Sequence, residues 1–186
     1  GRFTMTQTAD GPTGFANCMK LDCTTADTSI AAGENIILSQ AIEGQDLQQL
    51  KKGTSDAEKI TLSFYVKGNA NAAYSVEIYD GTNDRRIGQT FSVTTDWTRV
   101  ILTFPADTTG ALADSNAAGL YINWWLHAGA TFTGGTFSTA WAAQTANQRA
   151  GNTTSFLDST NRTFFLTGVQ LEVGSQATPF EHRSFG

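Results

Sequence analysis

From residue 59 onward, apolar and polar side chains alternate with a period of two, the signature of strands that bury one face. In KITLSFYVKG, Ile60, Leu62, Phe64 and Val66 point one way and Thr61, Ser63, Tyr65 and Lys67 the other. YSVEIYDGTNDRRIGQTFSV sets Tyr74, Val76 and Ile78 against Ser75, Glu77 and Tyr79, and Asp80-Gly81 with Asn83-Asp84 marks a hairpin turn before the next strand. WTRVILTF places Thr98, Val100, Leu102 and Phe104 on one face. GLYINWWLHAG repeats the pattern, with Leu120, Ile122, Trp124 and Leu126 against Tyr121, Asn123, Trp125 and His127. A last strand over residues 163–173 sets Phe165, Val169, Leu171 and Val173 against Leu166, Gln170 and Glu172, with Gly168 as a candidate bulge.

The first third is less regular. RFTMTQT, NCMKLDCT and NIILSQAI are strand candidates between turns rich in Gly and Thr. GQDLQQLKKG predicts one short helix: Leu47 and Leu50 are three apart, Asp46 suits the first turn and Gly53 the end. In a β fold such a piece plugs an open edge more often than it carries chemistry. The fold class expected is therefore all-β: a two-sheet antiparallel β-sandwich, jelly-roll in topology, with one short helix. Residues 1–186 read as a single domain, because no composition break, proline-rich linker or fixed-period repeat divides them. The start at Gly1, with no Met, basic segment or apolar leader, is what a piece of a longer polypeptide would show.

Composition narrows the functional classes. A chain of 186 residues that is 40% hydrophobic and 16% charged suits a folded globule. A net charge of −5 disfavours nucleic acid or an anionic membrane as the main partner. No apolar run approaches the ~20 residues of a membrane span, so membrane insertion is not expected. Cys18 and Cys23 have opposite parity on one strand, which disfavours a disulfide between them and favours buried thiols.

Candidate chemistry is sparse. His127 and His182 belong to no zinc-type cluster, and no nucleophile elbow, phosphate loop or dinucleotide fingerprint is present. Asp80, Asp84, Asp96, Asp107 and Asp114 lie in turns, with Glu172 and Glu181 near the end. A glycosidase needs two carboxyls about 5–10 Å apart in a cleft, and nothing in this spacing selects a pair. The expectation is a protein that is not an enzyme and needs no cofactor. Loop carboxylates would suit a structural Ca²⁺, but no calcium-loop motif supports one. Asn152-Thr-Thr and Asn161-Arg-Thr match the glycosylation acceptor at the rate such a composition gives by chance.

The aromatic residues say more. Strand parity sends Trp124 to the core and Trp125 to the outer face, beside Tyr121, Asn123 and His127. A flat apolar ring flanked by hydrogen-bonding groups is what stacking on a sugar requires. The competing expectation is that residues 128–157, or a partner subunit, cover this face. Trp97 is expected to cap a sandwich edge. Trp141 and Gln144 fall in a long Gly/Ala/Thr/Asn-rich stretch read as a loop, where binding residues concentrate. The expected ligand contacts are Trp125, Tyr121, Asn123 and His127, with Trp141 as an outlier.

KITLSFYVKGNANAAYSVEIYDG, SVTTDWTRVILTFPADTTG, GLYINWWLHAGATFTGG and above all FFLTGVQLEVGSQATPFEHRS resemble a module of phage virion proteins, especially tail-fibre and appendage proteins of marine and cyanobacterial phages. The likeness runs from about Phe3 to Ser184, and its most specific part is the ending TGVQLEVGxxATPFExR. The strand-turn pattern is also similar to that of carbohydrate-binding modules. The resemblance implies a jelly-roll module within a longer polypeptide, located in the virion and contacting other virion subunits. It also implies a homo-oligomer, trimeric if in a fibre, and supplies no catalytic residues. The function it suggests is a structural module of a tail fibre or appendage that meets the host surface, possible host glycan binding included. The alternatives are a capsid decoration or assembly domain without a ligand, and an accessory carbohydrate-binding module of a glycan-processing enzyme.

Overall fold

The alternating stretches pair into two antiparallel sheets of five strands each. A computed structural model of the chain describes residues 1–151 and 154–182. Its strands are β1 (Phe3–Thr8), β2 (Cys18–Cys23), β3 (Asn35–Glu43), β4 (Ile60–Gly68), β5 (Ala72–Asp80), β6 (Arg85–Val93), β7 (Thr98–Phe104), β8 (Ala118–Ala128), β9 (Ala142–Ala143) and β10 (Thr163–Val173). One sheet runs β1-β2-β10-β4-β7, the other β3-β8-β5-β6-β9. Sequence-distant strands lie side by side in both, as expected of a jelly-roll sandwich. Among the described residues, no helix is long and apolar enough to cross a membrane.

The predicted inward faces meet between the sheets. Leu62, Phe64 and Val66 of β4 and Leu102 and Phe104 of β7 face Val76 and Ile78 of β5 and Leu120, Ile122 and Trp124 of β8. Phe64 meets Phe91 at 5.2 Å and Trp124 at 5.7 Å between ring centres, both edge to face. Such pairs add to the ~1.5–3 kcal/mol that burying each large apolar side chain contributes. The predicted helix is a 3-10 helix, Gly44–Leu50, whose Leu47 and Leu50 enter the same core. It stops where Lys51 turns left-handed, before Gly53. Cys18 and Cys23 are free and buried; Cys23 joins the core, while the Cys18 thiol donates to the Asp10 carbonyl at 3.2 Å.

The last strand corrects the expected pattern. Before the bulge it is Phe164 and Leu166 that face the core, and Phe165 faces outward against Trp97, 6.1 Å away. The register slips between Thr167 and Gln170, at Gly168, whose φ is +59°. A Cβ there would stand 2.7 Å from the Phe15 ring, so both backbone and packing call for glycine. The slip reverses the strand's parity halfway along, which a single period-two reading cannot capture.

After the bulge, Gln170 and Glu172 face outward and hold the returning chain. Glu172 accepts from the Thr178 N–H and hydroxyl, and Gln170 Oε1 accepts from the Glu181 N–H at 2.9 Å. Arg99 donates to the Thr178 carbonyl, and Phe180 packs on Phe15 at 4.9 Å. The conspicuous ending is thus a clasp over one sheet, as far as His182; its Arg183 and Ser184 lie outside the described residues, as does Asn152 of the first glycosylation match. Asn161 of the second match is exposed.

Candidate functional site

The outer face of the β3-β8-β5-β6-β9 sheet is half sealed and half open. Register places Ile37, Ser39 and Ala41 of β3 beside Trp125, Asn123 and Tyr121 of β8, and the latter three beside Ser75, Glu77 and Tyr79 of β5. The side of the sheet expected for Trp125 is correct, but its exposure is not. Trp125 is fully buried, because residues 129–151 fold back over it. Phe132, on the short helix α1 (Ala130–Thr133), packs on the indole at 5.1 Å. Phe137 lies so close to Gly88 and Gly151 that a Cβ at either would come within 2.6 Å of its ring.

An ionic clamp fastens this cover. Glu77, buried on β5, receives Arg149 Nε at 2.9 Å and Nη2 at 2.7 Å, the two-pronged geometry that makes arginine–carboxylate pairs strong. The same carboxylate accepts from Asn123 Nδ2 at 3.0 Å and Trp125 Nε1 at 3.3 Å. The Arg149 guanidinium also lies over the Tyr79 and Trp125 rings, at 5.4 and 5.1 Å. Burial works against the charged guanidinium, yet the bonds to Glu77 outweigh it and raise the Arg149 pKa. Arg86, buried beside it, donates to the Gln148 carbonyl at 2.5 Å and so pins the cover a second time.

Beyond the clamp the face is open. A groove of about 380 Å³ is lined by Ile37, Ser39, Tyr79, Gly81, Tyr121, Asn123 and Arg149. The half-buried rings of Tyr79 and Tyr121 sit 5.9 Å apart at 34°, forming a shallow aromatic floor. Gly81 makes room for it: a Cβ there would press on the Tyr121 ring at 2.8 Å. Tyr79 donates its hydroxyl to Asp84 at 2.9 Å, and Ser39 donates to Asn123 Oδ1 at 2.7 Å. These bonds fix the polar groups at the groove wall.

Of the five expected contacts, Tyr121 and Asn123 come together in this groove. Trp125 lies beneath the cover and offers no face to a ligand. His127, 1% exposed, lines a different cavity. Trp141 is a packing residue: its indole N–H donates to the Pro105 carbonyl at 2.8 Å and Lys52 lies over its ring at 5.3 Å. Gln144 leads out of the two-residue strand β9, its N–H donating to the Asp84 carbonyl at 2.8 Å. Sequence reasoning missed Ser39, Tyr79, Glu77 and Arg149. Tyr79 shared the outward parity of Glu77, but only the β5–β8 pairing brings it to Tyr121.

The carboxylates are engaged elsewhere. Lys52, whose side chain is 4% exposed, places Nζ 2.5 Å from Asp80, 3.0 Å from Asp107 and 2.9 Å from the carbonyls of both Thr109 and Gly110. Arg85 adds a two-pronged bond to Asp107. Burial pushes the Asp107 carboxyl up, but Arg85, Lys52 and the Thr109 N–H outweigh it and hold it below its usual range. Two carboxylates and two carbonyls around one point form an oxygen-rich cage, and a lysine ammonium occupies it. Among the described residues, no three His, Cys, Asp or Glu side chains gather as a metal site.

No protein-family model matches the chain, and no curated protein matches it. Among solved structures, the chain is similar to the C-terminal family 22 carbohydrate-binding module of Clostridium thermocellum Xyn10B, at 9% identity over 96% of this chain and 90% of that one, with a TM-score of 0.47. The CBM22-1 xylan-binding domain of Paenibacillus barcinonensis Xyn10C shows 14% identity over 95% of this chain and 85% of that one, with a TM-score of 0.46. The enzymatically active domain of bacteriophage CBA120 tailspike protein 4 shows 13% identity over 92% of this chain, which spans 18% of that one, with a TM-score of 0.46. With likenesses this remote, the assignment of the fold rests on the sheets themselves.

Proposed function

We propose that the chain is a non-enzymatic glycan-binding module and that the groove over Tyr79 and Tyr121 is its binding face. The carrying observation is the pairing of two half-buried tyrosine rings with fixed amide and hydroxyl groups in one open groove. Aromatic faces meet the C–H faces of sugar rings, and amide and hydroxyl groups meet their hydroxyls. The three charged side chains nearest the groove are held by protein partners, Glu77 by Arg149 and Asp84 by the Tyr79 hydroxyl, which suits a neutral glycan better than a charged one.

The virion role is the second layer of the proposal and rests on the sequence resemblance, centred on the ending from Thr167 to Arg183. On this reading the module sits in a tail fibre or appendage, where many copies turn weak sugar contacts into useful avidity, by 10²–10⁴. A purely structural role in assembly is favoured by one observation. Strand β1 lies at the end of its sheet and carries the uncharged run FTMTQT, with Met5 61% exposed. Such an unprotected edge invites another chain.

The deciding experiment is a glycan-array and host-cell binding assay on the multimerised protein, with Tyr121→Ala alongside and the oligomeric state of both followed by light scattering. Binding that disappears in a folded Tyr121→Ala supports the glycan reading. Absence of binding, with an oligomer that dissociates when Met5 is replaced by Lys, establishes the assembly role instead.

A further inference from the structure

A second cavity, of about 370 Å³, opens where the start of β1 meets the start of β3. Arg2, Glu34, Asn35 and His127 line it with polar groups, and Phe3 and Ile36 with apolar ones. It shares no lining residue with the tyrosine groove.

His127 sets this cavity apart. Its ring is 1% exposed, Nδ1 lies 2.7 Å from Ser155 Oγ, and Nε2 has no hydrogen-bond partner among the described residues. Buried polar atoms are nearly always bonded, so an orphaned ring nitrogen on a residue that lines a cavity asks what bonds it. Burial lowers the His127 pKa, and the ring is neutral at pH 7. A neutral imidazole nitrogen donates or accepts according to tautomer. A hydroxyl group does both and suits either form.

The charges in and just behind the lining narrow the ligand, Asp27 reaching it only through Arg2. Asp27 and Glu34 set two carboxylates against the single guanidinium of Arg2, which pairs with Asp27 at 2.5 Å and stands 3.8 Å from Glu34. That balance disfavours an anion. Glu34 Oε2 accepts from the Ala31 N–H at 2.7 Å, which leaves Oε1, facing Arg2 beyond hydrogen-bond distance, with room for a donor. The Phe3 ring, 38% exposed, supplies an apolar wall. The volume lies at the lower end of the range of small-molecule sites.

We infer that this cavity is a second binding site, for a neutral hydroxyl-bearing molecule about the size of one sugar ring, with His127 Nε2 and Glu34 as its hydrogen-bonding partners and Phe3 as its apolar wall. The site stands apart from the groove and does not require the groove to bind glycan.

The test is a titration of the full chain with glucose, galactose, mannose and glycerol, followed by ¹⁵N NMR of the imidazole rings. The chain has 2 histidines, so assignment is direct. The expected result is that at least one of these probes shifts the His127 Nε2 resonance in a saturable way, equally in wild type and in Tyr121→Ala. Glu34→Gln, which keeps an oxygen for the Ala31 N–H, weakens that probe at least fivefold. A His127 resonance that stays put with all four probes overturns the site, as does a shift that Glu34→Gln leaves unchanged. Loss of binding in Tyr121→Ala at the tyrosine resonances alone bears on the groove and leaves this cavity standing.

Discussion

Trp125 and Tyr121 stand four residues apart on β8 and face the same side of the same sheet, yet one is sealed and the other open. The difference comes from what lies above them. Over Trp125 the chain returns with Phe132 and Arg149, and a buried carboxylate holds that cover down. Over Tyr121 it does not return, and the ring lines an open groove. Alternation along a strand decides the side on which a residue falls. Whether that side meets water is decided by whether a later segment folds back over it, as residues 129–151 do over Trp125.

The largest effect on this contrast is expected from Glu77→Ala. It removes the carboxylate shared by Arg149, Asn123 and Trp125, and breaking one partner out of a buried charge pair costs about 3–5 kcal/mol. The urea midpoint should fall sharply, and the cover should open to hydrogen exchange. Trp125→Ala comes next: it empties the space under Phe132 at about 3 kcal/mol, read from the same unfolding curves. If the proposed groove alone binds glycan, this variant retains the sugar affinity that its folded fraction allows. Tyr121→Ala should do the reverse, costing under ~1 kcal/mol of stability while weakening glycan binding about 5- to 10-fold by calorimetry, the worth of one aromatic contact.

The smallest expected effect is one of pH. Burial holds the His127 pKa below the 6.5 of an unfolded histidine, while Asp27 and Glu34 pull it up and Arg2 pulls it down. As pH falls through 6.5 the unfolded chain takes up the proton first, so stability is full above that value and declines between it and the lower folded pKa. Urea midpoints at pH 7.5 and 5.5 should show this decline, and His127→Gln should flatten it if the protein remains folded.

Much of the fold was legible in the sequence. Strands β4 to β8 and the hairpin at residues 81–84 follow from period two and turn chemistry, and Leu47 and Leu50 marked the 3-10 helix. The inward face of β10 was misread because the left-handed Gly168 inserts a residue and reverses parity, which alternation alone does not reveal. Part of the candidate site was legible too: Tyr121 and Asn123 carried the right parity. Tyr79 joins them only through the pairing of β5 with β8. The burial of Trp125 depends on Phe132, a ring in a stretch whose Gly, Thr and Ala content reads as open loop, and Phe137 seats that stretch against Gly88 and Gly151. Arg149 gave no local sign of its partner, because Glu77 is 72 residues away.

The Lys52 cage ties together the exit of the 3-10 helix, the β5–β6 hairpin and the β7–β8 connection. β-Sandwiches that gather loop oxygens around a mineral ion depend on their surroundings to supply it. Here the ion is part of the polypeptide, delivered at synthesis and tethered for life. These three loops should therefore keep their arrangement in seawater, fresh water or chelator alike.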